Sequence, residues 1–235
     1  MATKLYLPYA PEAPADVNPS FDGSWTQTTN ADRARSSTTK QQTSTITKTQ
    51  AGVNGTTLQR QFVSIPMIAQ TVASGTVKGT IRCAESAAND NILQVAMSIR
   101  ICSRTGTITQ TWLSLSEYGP SNEWATVATG LTNRRIADGD SIGAITVDAG
   151  DRIVIEIGYF VSSGTTISGD MNFGDNNVGA DLGDDETGTT QSNPFVEFSS
   201  AIIFESVIGT GSPVTFNNYQ FPDVKDGMSV TEKIR

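Results

Sequence analysis

Apolar and polar residues alternate along much of the chain, and the clearest alternation runs from residue 91 to residue 102. Five apolar residues occupy every second position of that run: Leu93, Val95, Met97, Ile99 and Ile101. A period of two is expected of a β-strand with one buried face. Turn sequences separate further strand-like segments, which lie at 60–67, 74–86, 107–116, 123–131, 141–148, 151–161, 165–173 and 194–204.

Eight to ten strands at this spacing predict an all-β fold, namely a single jelly-roll-like antiparallel β-sandwich. One segment predicts an especially buried strand. Ile153, Ile155 and Ile157 share one of its faces, and the other face holds Val154 beside Glu156. A strand with apolar residues on both faces is expected at the centre of a sheet that is covered on both sides.

The two ends of the chain do not follow this pattern. The run 36–50 is almost entirely polar, with Ile46 as its one aliphatic residue. A segment of this kind cannot bury a face of its own. We therefore expect three parts: an extended N-terminal arm with a short strand at 1–57, a β-sandwich domain at 58–204, and an extended C-terminal arm at 205–235.

Composition agrees with a β fold and excludes several classes of partner. Charged residues make up 17% of the chain and the apolar set makes up 37%. The formal net charge of -8 argues against a nucleic-acid partner, because phosphate binding requires clustered Lys and Arg. No apolar run approaches the roughly 20 residues of a membrane-spanning helix, so we do not expect a membrane partner.

Charge is distributed unevenly along the chain. No Lys or Arg occurs between Arg152 and Lys225, a stretch that contains many acidic residues. The N-terminal part instead carries a set of cations with few acids nearby: Arg33, Arg35, Lys40, Lys48 and Arg60. Two interpretations follow, namely two solvated surfaces or complementary patches that meet between subunits.

The sequence predicts no catalytic, cofactor-binding or metal-binding residue, and we expect the protein not to be an enzyme. It contains no histidine, the usual general base at neutral pH. The acid-rich run 173–190 is interpreted as a solvated loop, or as an irregular calcium site of Asp175, Asn177 and Asp181. Catalysis by two carboxylates is not favoured there, because it needs carboxyl groups held rigidly in a cleft and these lie among glycines.

Aromatic and cysteine residues leave further hypotheses open. Five aromatic residues are candidates for a sugar-binding face: Trp25, Trp112, Trp124, Tyr118 and Tyr159. Trp112 shares a strand face with Gln110 and is expected to be exposed, although sheet packing is the commoner role of such a residue. Cys83 and Cys102 are expected on opposite faces and therefore unbonded to each other, with Cys83 buried and Cys102 facing out. An intersubunit bridge through Cys102 stays an alternative.

Several segments together resemble a known family. ASGTVKGTIRCAES (73–86), AGDRIVIEIGYF (149–160), FGDN with DDETGTT, and NPFVEFS (193–199) resemble structural proteins of tailed bacteriophages of about this size. The opening KLYLP, the FDGSW at 21–25 and Thr39-Lys40 also fit. The resemblance covers about 1–204, and the segment from Glu205 onward departs from it. It implies a jelly-roll-like sandwich on the phage surface, in a head decoration, a neck or a tail, and no catalytic residues.

The resulting expectation is a virion structural protein that binds neighbouring capsid, neck or tail proteins and forms homo-oligomers. Its arms would bury their residues on neighbours, with strand addition where the Thr-rich segment meets an exposed sheet edge. The alternative is a tail-associated adhesin that binds a receptor or a host glycan, which we do not favour. The expected location is the virion.

Overall fold

The computed structural model of the chain describes residues 2–9, 17–40, 44–87, 91–119, 124–126, 130–163, 167–175, 179–183, 186, 188 and 190–205. The chain divides into two compact units, residues 1–205 and residues 206–235. The second unit lies outside the described residues, and so does the C-terminal arm expected at 205–235, apart from its first residue. The described residues contain no helix, and hence none that could span a membrane.

The described part of the chain forms thirteen strands. Their bounds are β1 Thr3–Tyr6, β2 Asp32–Arg35, β3 Ser44–Gly52, β4 Gly55–Val63, β5 Gln70–Val72, β6 Gly75–Glu85, β7 Ile92–Cys102, β8 Ile108–Tyr118, β9 Thr132–Ile142, β10 Ile145–Val147, β11 Arg152–Val161, β12 Ile167–Asp175 and β13 Phe195–Phe198. The strands therefore occur along almost the whole first unit, including the region before residue 58.

The strands form two main sheets that pack face to face. Five strands of the six-stranded sheet follow the order β1-β13-β6-β12-β3. The sixth strand, β9, also pairs with β6. The five-stranded sheet has the order β2-β4-β11-β7-β8. Neighbouring strands are antiparallel except β2, which runs parallel to β4. A separate ribbon is formed by β5 and β10. The expected all-β antiparallel sandwich is confirmed.

The main core lies between the two sheets and is formed by alternate residues of their strands. Ile153 and Ile155 of β11 pair in register with Ile101 and Ile99 of β7, and all four are buried in it. β11 has β4 on one side and β7 on the other, and its second face is buried as well. The prediction of a central strand covered on both sides is therefore confirmed.

The N-terminal strands belong to the sandwich, which differs from the arm expected at 1–57. β1 pairs with β13, β2 with β4, and β3 with β12. Leu5 and Leu7 are part of the main core. The polar run 36–50 was misleading because an edge strand needs only one partner for its backbone, and its outer side chains can stay polar. The sandwich domain therefore begins at β1 and not at residue 58.

Residues 17–31, which we call the strap, lie on the outer face of the five-stranded sheet. Trp25 is buried against Leu58 in a small second cluster, and Phe21 packs against that cluster. The backbone N–H of Leu58 donates to the carbonyl oxygen of Gln27 at 2.9 Å, which ties the strap to β4. Phe21 and Trp25 lie in the arm that was expected to bury its residues on neighbouring proteins, but they pack on this chain.

Both cysteines are unbonded and buried. Cys83 lies in the main core, as expected. Cys102 was expected to face out, but it is fully buried because the outer face of its sheet, which also holds Ser98 and Arg100, is itself covered. Burial raises the pKa of the Cys102 thiol to about 11. A buried, protonated thiol is a poor partner for an intersubunit bridge.

Candidate functional site

A cleft of about 300 Å³ opens on the outer face of the six-stranded sheet, and we call it the outer-face cleft. Strand register places two rows of residues on its floor. The first row crosses β1, β13 and β6 and consists of Lys4, Glu197 and Lys78. The second row crosses β13, β6 and β9 and consists of Phe195, Thr80 and Arg135. Residues 181–183 also line the cleft.

Ion pairs connect the strands of this floor with the loop beside it. The Nζ atom of Lys4 lies 2.6 Å from Oδ2 of Asp181 and 3.5 Å from Oε2 of Glu197. The Nζ atom of Lys40 lies 3.0 Å from Oδ1 of the same Asp181. Lys4 also sits 4.2 Å from the ring centroid of Phe195, within the range of a cation–π contact. Asp181 is thus held between two ammonium groups.

The pKa values of this pair reflect their mutual attraction. Partial burial by itself lowers the pKa of Lys4, but the hydrogen bond and charge of Asp181, together with Glu197, outweigh burial and raise it above 10.5. Partial burial by itself raises the pKa of Asp181, but Lys4 and Lys40 outweigh burial and hold it below 3.8. Both groups therefore stay charged across the neutral range, as expected of a fixed ion pair and not of a general acid or base.

Lys78 differs from the other cations of the outer-face cleft because it is 59% exposed and only loosely paired, with its Nζ atom 4.0 Å from Glu197. An exposed ammonium group beside fixed ion pairs can pair with an acidic group of another molecule. The chemistry that the cleft offers is recognition of a polar surface.

The acid-rich run does not assemble into a calcium site in the part that the structure describes. The Oδ2 atom of Asp175 accepts hydrogen bonds from the backbone of Gly179 at 2.6 Å and from Nδ2 of Asn193 at 3.0 Å. Asp181 faces Lys4 and Lys40 instead. The described residues contain no cluster of metal-ligating side chains, and Asn177 lies outside them. The two carboxylates therefore have separate structural partners.

The five aromatic residues considered for sugar binding are all buried, which contradicts the expected exposure of Trp112. Trp112 stacks on Phe198 with ring centroids 5.1 Å apart, and its indole N–H donates to the carbonyl oxygen of Gly143 at 2.8 Å. Trp124 packs edge-on against Tyr159 at 5.9 Å. Register shifts between β7 and β8 turn Trp112 toward the core, which simple alternation could not reveal.

A second polar cluster lies under the strap, around the fully buried carboxylate of Glu156. Arg100 donates to its Oε1 atom at 2.6 Å. Further donors are the indole N–H of Trp25 at 2.7 Å, Nε2 of Gln61 at 2.8 Å and the backbone N–H of Asp22 at 3.0 Å. Because buried charges persist only when they are paired and hydrogen-bonded, this cluster fixes the strap and is not an open site.

Two cations of the N-terminal part, Lys40 and Arg60, pair with acidic residues of this chain. Lys40 pairs with Asp181, and Nε of Arg60 lies 2.8 Å from Oδ1 of Asp32. Arg60 is almost fully buried, and burial, which Asp32 only partly offsets, lowers its pKa below the usual value of an arginine. Neither of the two interpretations of the charge pattern anticipated these intramolecular contacts.

The outer-face cleft itself was not predicted. Its floor comes from strands that are far apart in the sequence, and only strand order brings Lys4 beside Glu197. Alternation along β6 was the one sequence feature that indicated part of this cleft. Because Val77 and Ile81 lie in the core, Lys78 and Thr80 are expected to face outward.

Comparison with known proteins adds little to this geometry. No family model matches the chain, and no curated protein matches it. Among solved structures, a CocE/NonD family hydrolase from Staphylococcus aureus has 9% identity and a TM-score of 0.48, over 84% of this chain and 36% of the other.

The structure of infectious bursal disease virus, Gt strain, has 12% identity and a TM-score of 0.32, over 73% of this chain and 41% of the other. The chain thus spans well under half the length of the structures it matches. At these TM-scores, neither similarity supports an inference about what this protein binds or does. It is described by its fold, an antiparallel β-sandwich.

Proposed function

We propose that this chain is a structural protein of a tailed-bacteriophage particle and binds neighbouring virion proteins. The observation that carries the proposal is the sequence resemblance at 73–86, 149–160 and 193–199. Those segments correspond to β6, β11 and β13, so the resemblance falls on the framework of the sandwich. β13 pairs with β6, and β11 is the central strand of the other sheet.

The outer-face cleft supports a role in recognition, since Lys78 is exposed and only loosely paired beside the fixed ion pairs of Lys4. A neighbouring protein would place an acidic group beside Lys78, the most exposed cation of the cleft floor.

The buried aromatic residues give no comparable support to the glycan-binding alternative, and we do not propose it.

The location of the protein is tested on purified particles of the virus that encodes the chain. Antibody against the chain should label one defined part of the particle in low-resolution images, and mass spectrometry should find the chain in washed particles. Its absence from washed particles would refute the proposal.

The cleft is tested by the substitution Lys78→Glu, which should weaken co-sedimentation of purified protein with particles that lack the chain. Arg104→Glu is the matched control, because Arg104 is an exposed cation outside the cleft. Equal loss of binding in both variants would indicate a general charge effect and remove the cleft from the proposal.

A reducing-sugar assay on host polysaccharide should show no activity.

A further inference from the structure

Among the residues that the structure describes, no strand pairs with β3 on the side away from β12, and the strand is regular. It pairs with β12 over nine residues, from Ser44 opposite Asp175 to Gly52 opposite Ile167, without any shift in register. Its side chains at Thr47 and Thr49 are exposed. An edge of this kind offers unpaired backbone N–H and C=O groups to another strand, which natural proteins usually prevent.

Three hydrogen bonds show which residues of β3 point their backbone groups away from β12. The carbonyl oxygen of Ala51 accepts from Nε2 of Gln27, outside the sheet. Its register partner Ser168 uses its own carbonyl oxygen for Ser86, on the far side of β12. Gly174, the partner of position 45, likewise donates its N–H to the carbonyl oxygen of Leu7.

Backbone groups alternate between the two edges of a strand, so these three bonds determine the whole pattern. The backbone groups of Thr45, Thr47 and Thr49 point to the open edge. Those of the even-numbered residues of β3 face β12 and form the ladder.

In the described part of the chain, the other outer edges of the two main sheets are blocked, short or irregular. β1 exchanges two backbone hydrogen bonds with Ser37, at 2.7 and 3.1 Å. β9 is capped where Asn133 donates to Gly188 and where the N–H of Arg135 donates to the Glu186 carboxylate. β8 has three shifts of register against β7, and β2 has only four residues. Bulges and short length are common protections against strand addition.

We propose that β3 pairs with β3 of a second copy of this chain, antiparallel across a twofold axis at Thr47. This register places Thr45 opposite Thr49 of the second copy and Thr47 opposite its counterpart, so open-edge groups meet open-edge groups. Thr–Thr pairs such as these are favourable across strands. The two six-stranded sheets become one continuous sheet.

This pairing deepens the proposed function, since it names one partner of an assembly protein, but it is tested without particles. Purified wild-type protein should sediment as a dimer at micromolar concentration. Thr47→Pro removes one open-edge N–H and leaves the ladder to β12 intact, so this variant should be monomeric with an unchanged far-UV spectrum. Thr47→Val is the matched control, because it keeps the N–H and the branched shape, and it should remain dimeric.

Amide hydrogen exchange identifies the edge itself. The amides of Thr47 and Thr49 should exchange more slowly as protein concentration rises, whereas exposed amides of β8 such as that of Thr111 should not respond. A monomeric wild-type protein would overturn the pairing. It would not affect the particle-binding proposal, which is tested separately on purified particles. A dimer that persists in Thr47→Pro would also overturn the pairing, as would protection confined to β8.

Discussion

At the scale of single residues, the best-connected polar group in the described structure is the carboxylate of Glu156. It lies at the centre of β11, yet it faces away from the main core and receives donors from two strands and from the strap. A buried carboxylate of this kind depends on every donor around it, because the interior supplies no water to replace a missing partner.

The substitution Glu156→Gln should therefore destabilise the fold strongly. It removes the nearer and fully buried counter-charge of the Arg100 guanidinium, at 2.6 Å, and leaves Asp22 at 3.8 Å. Breaking a buried ion pair typically costs about 3–5 kcal/mol. Urea unfolding measures the change, with Glu117→Gln on the exposed edge of β8 as a control that should change stability by less than about 0.5 kcal/mol. A similar small loss for Glu156→Gln would show that the cluster does not hold the strap.

Asp181 should make the stability of the protein depend on acidity. Its pKa in the folded chain lies below 3.8, so its ion pairs contribute stability above that pH and lose it as the pH falls through the lower, folded value. Unfolding free energies measured between pH 5 and pH 2 should fall less steeply in Asp181→Asn than in the wild type. Parallel curves would mean that Lys4 and Lys40 do not hold the carboxylate in solution.

At the scale of elements, the first three strands and the strap should be required for folding. A chain of residues 58–204 loses β1, β2 and β3, and it leaves Glu156 without its donors from Asp22 and Trp25. We expect it to show no cooperative thermal unfolding. A cooperative transition close to that of the full chain would mean that residues 1–57 are an arm and not part of the folding unit.

Sequence periodicity was sufficient for some strands and insufficient for others, for a physical reason. β7 and β11 are both buried. Burial explains the alternation of apolar residues in β7 and the apolar residues on both faces of β11. β3 has exposed side chains at Thr47 and Thr49, so no buried face marked it as a strand. β8 matches the strand expected at 107–116, but its bulges hid the inward orientation of Trp112. The outer-face cleft could not be predicted either. It depends on the order of the strands in the sheet, and one sequence does not reveal that order.

At the scale of the whole molecule, the first compact unit contains a complete core. The residues of the main core extend from Leu5 to Ile202. Each sheet of the sandwich is formed from strands at both low and high residue numbers, so the unit is expected to unfold as one cooperative body.

Removal of residues 206–235 should accordingly leave the sandwich unchanged. The shortened chain should keep the far-UV spectrum of the full chain and melt within a few degrees of it, because the main core is retained. Differential scanning calorimetry measures this, and the 58–204 chain provides the contrast. A large fall in melting temperature would mean that the second unit stabilises the first.

The pairing of β1 with β13 has a consequence for how the protein is made. Thr3 lies opposite Phe198, so β1 leaves the ribosome long before its partner strand β13 is synthesised. At about 5–20 residues per second, β1 waits on the order of ten seconds or more for that partner. The edge of the six-stranded sheet can therefore close only after residues 195–198 have been synthesised, and until then the apolar side of β1, with Leu5, has no partner strand to cover it.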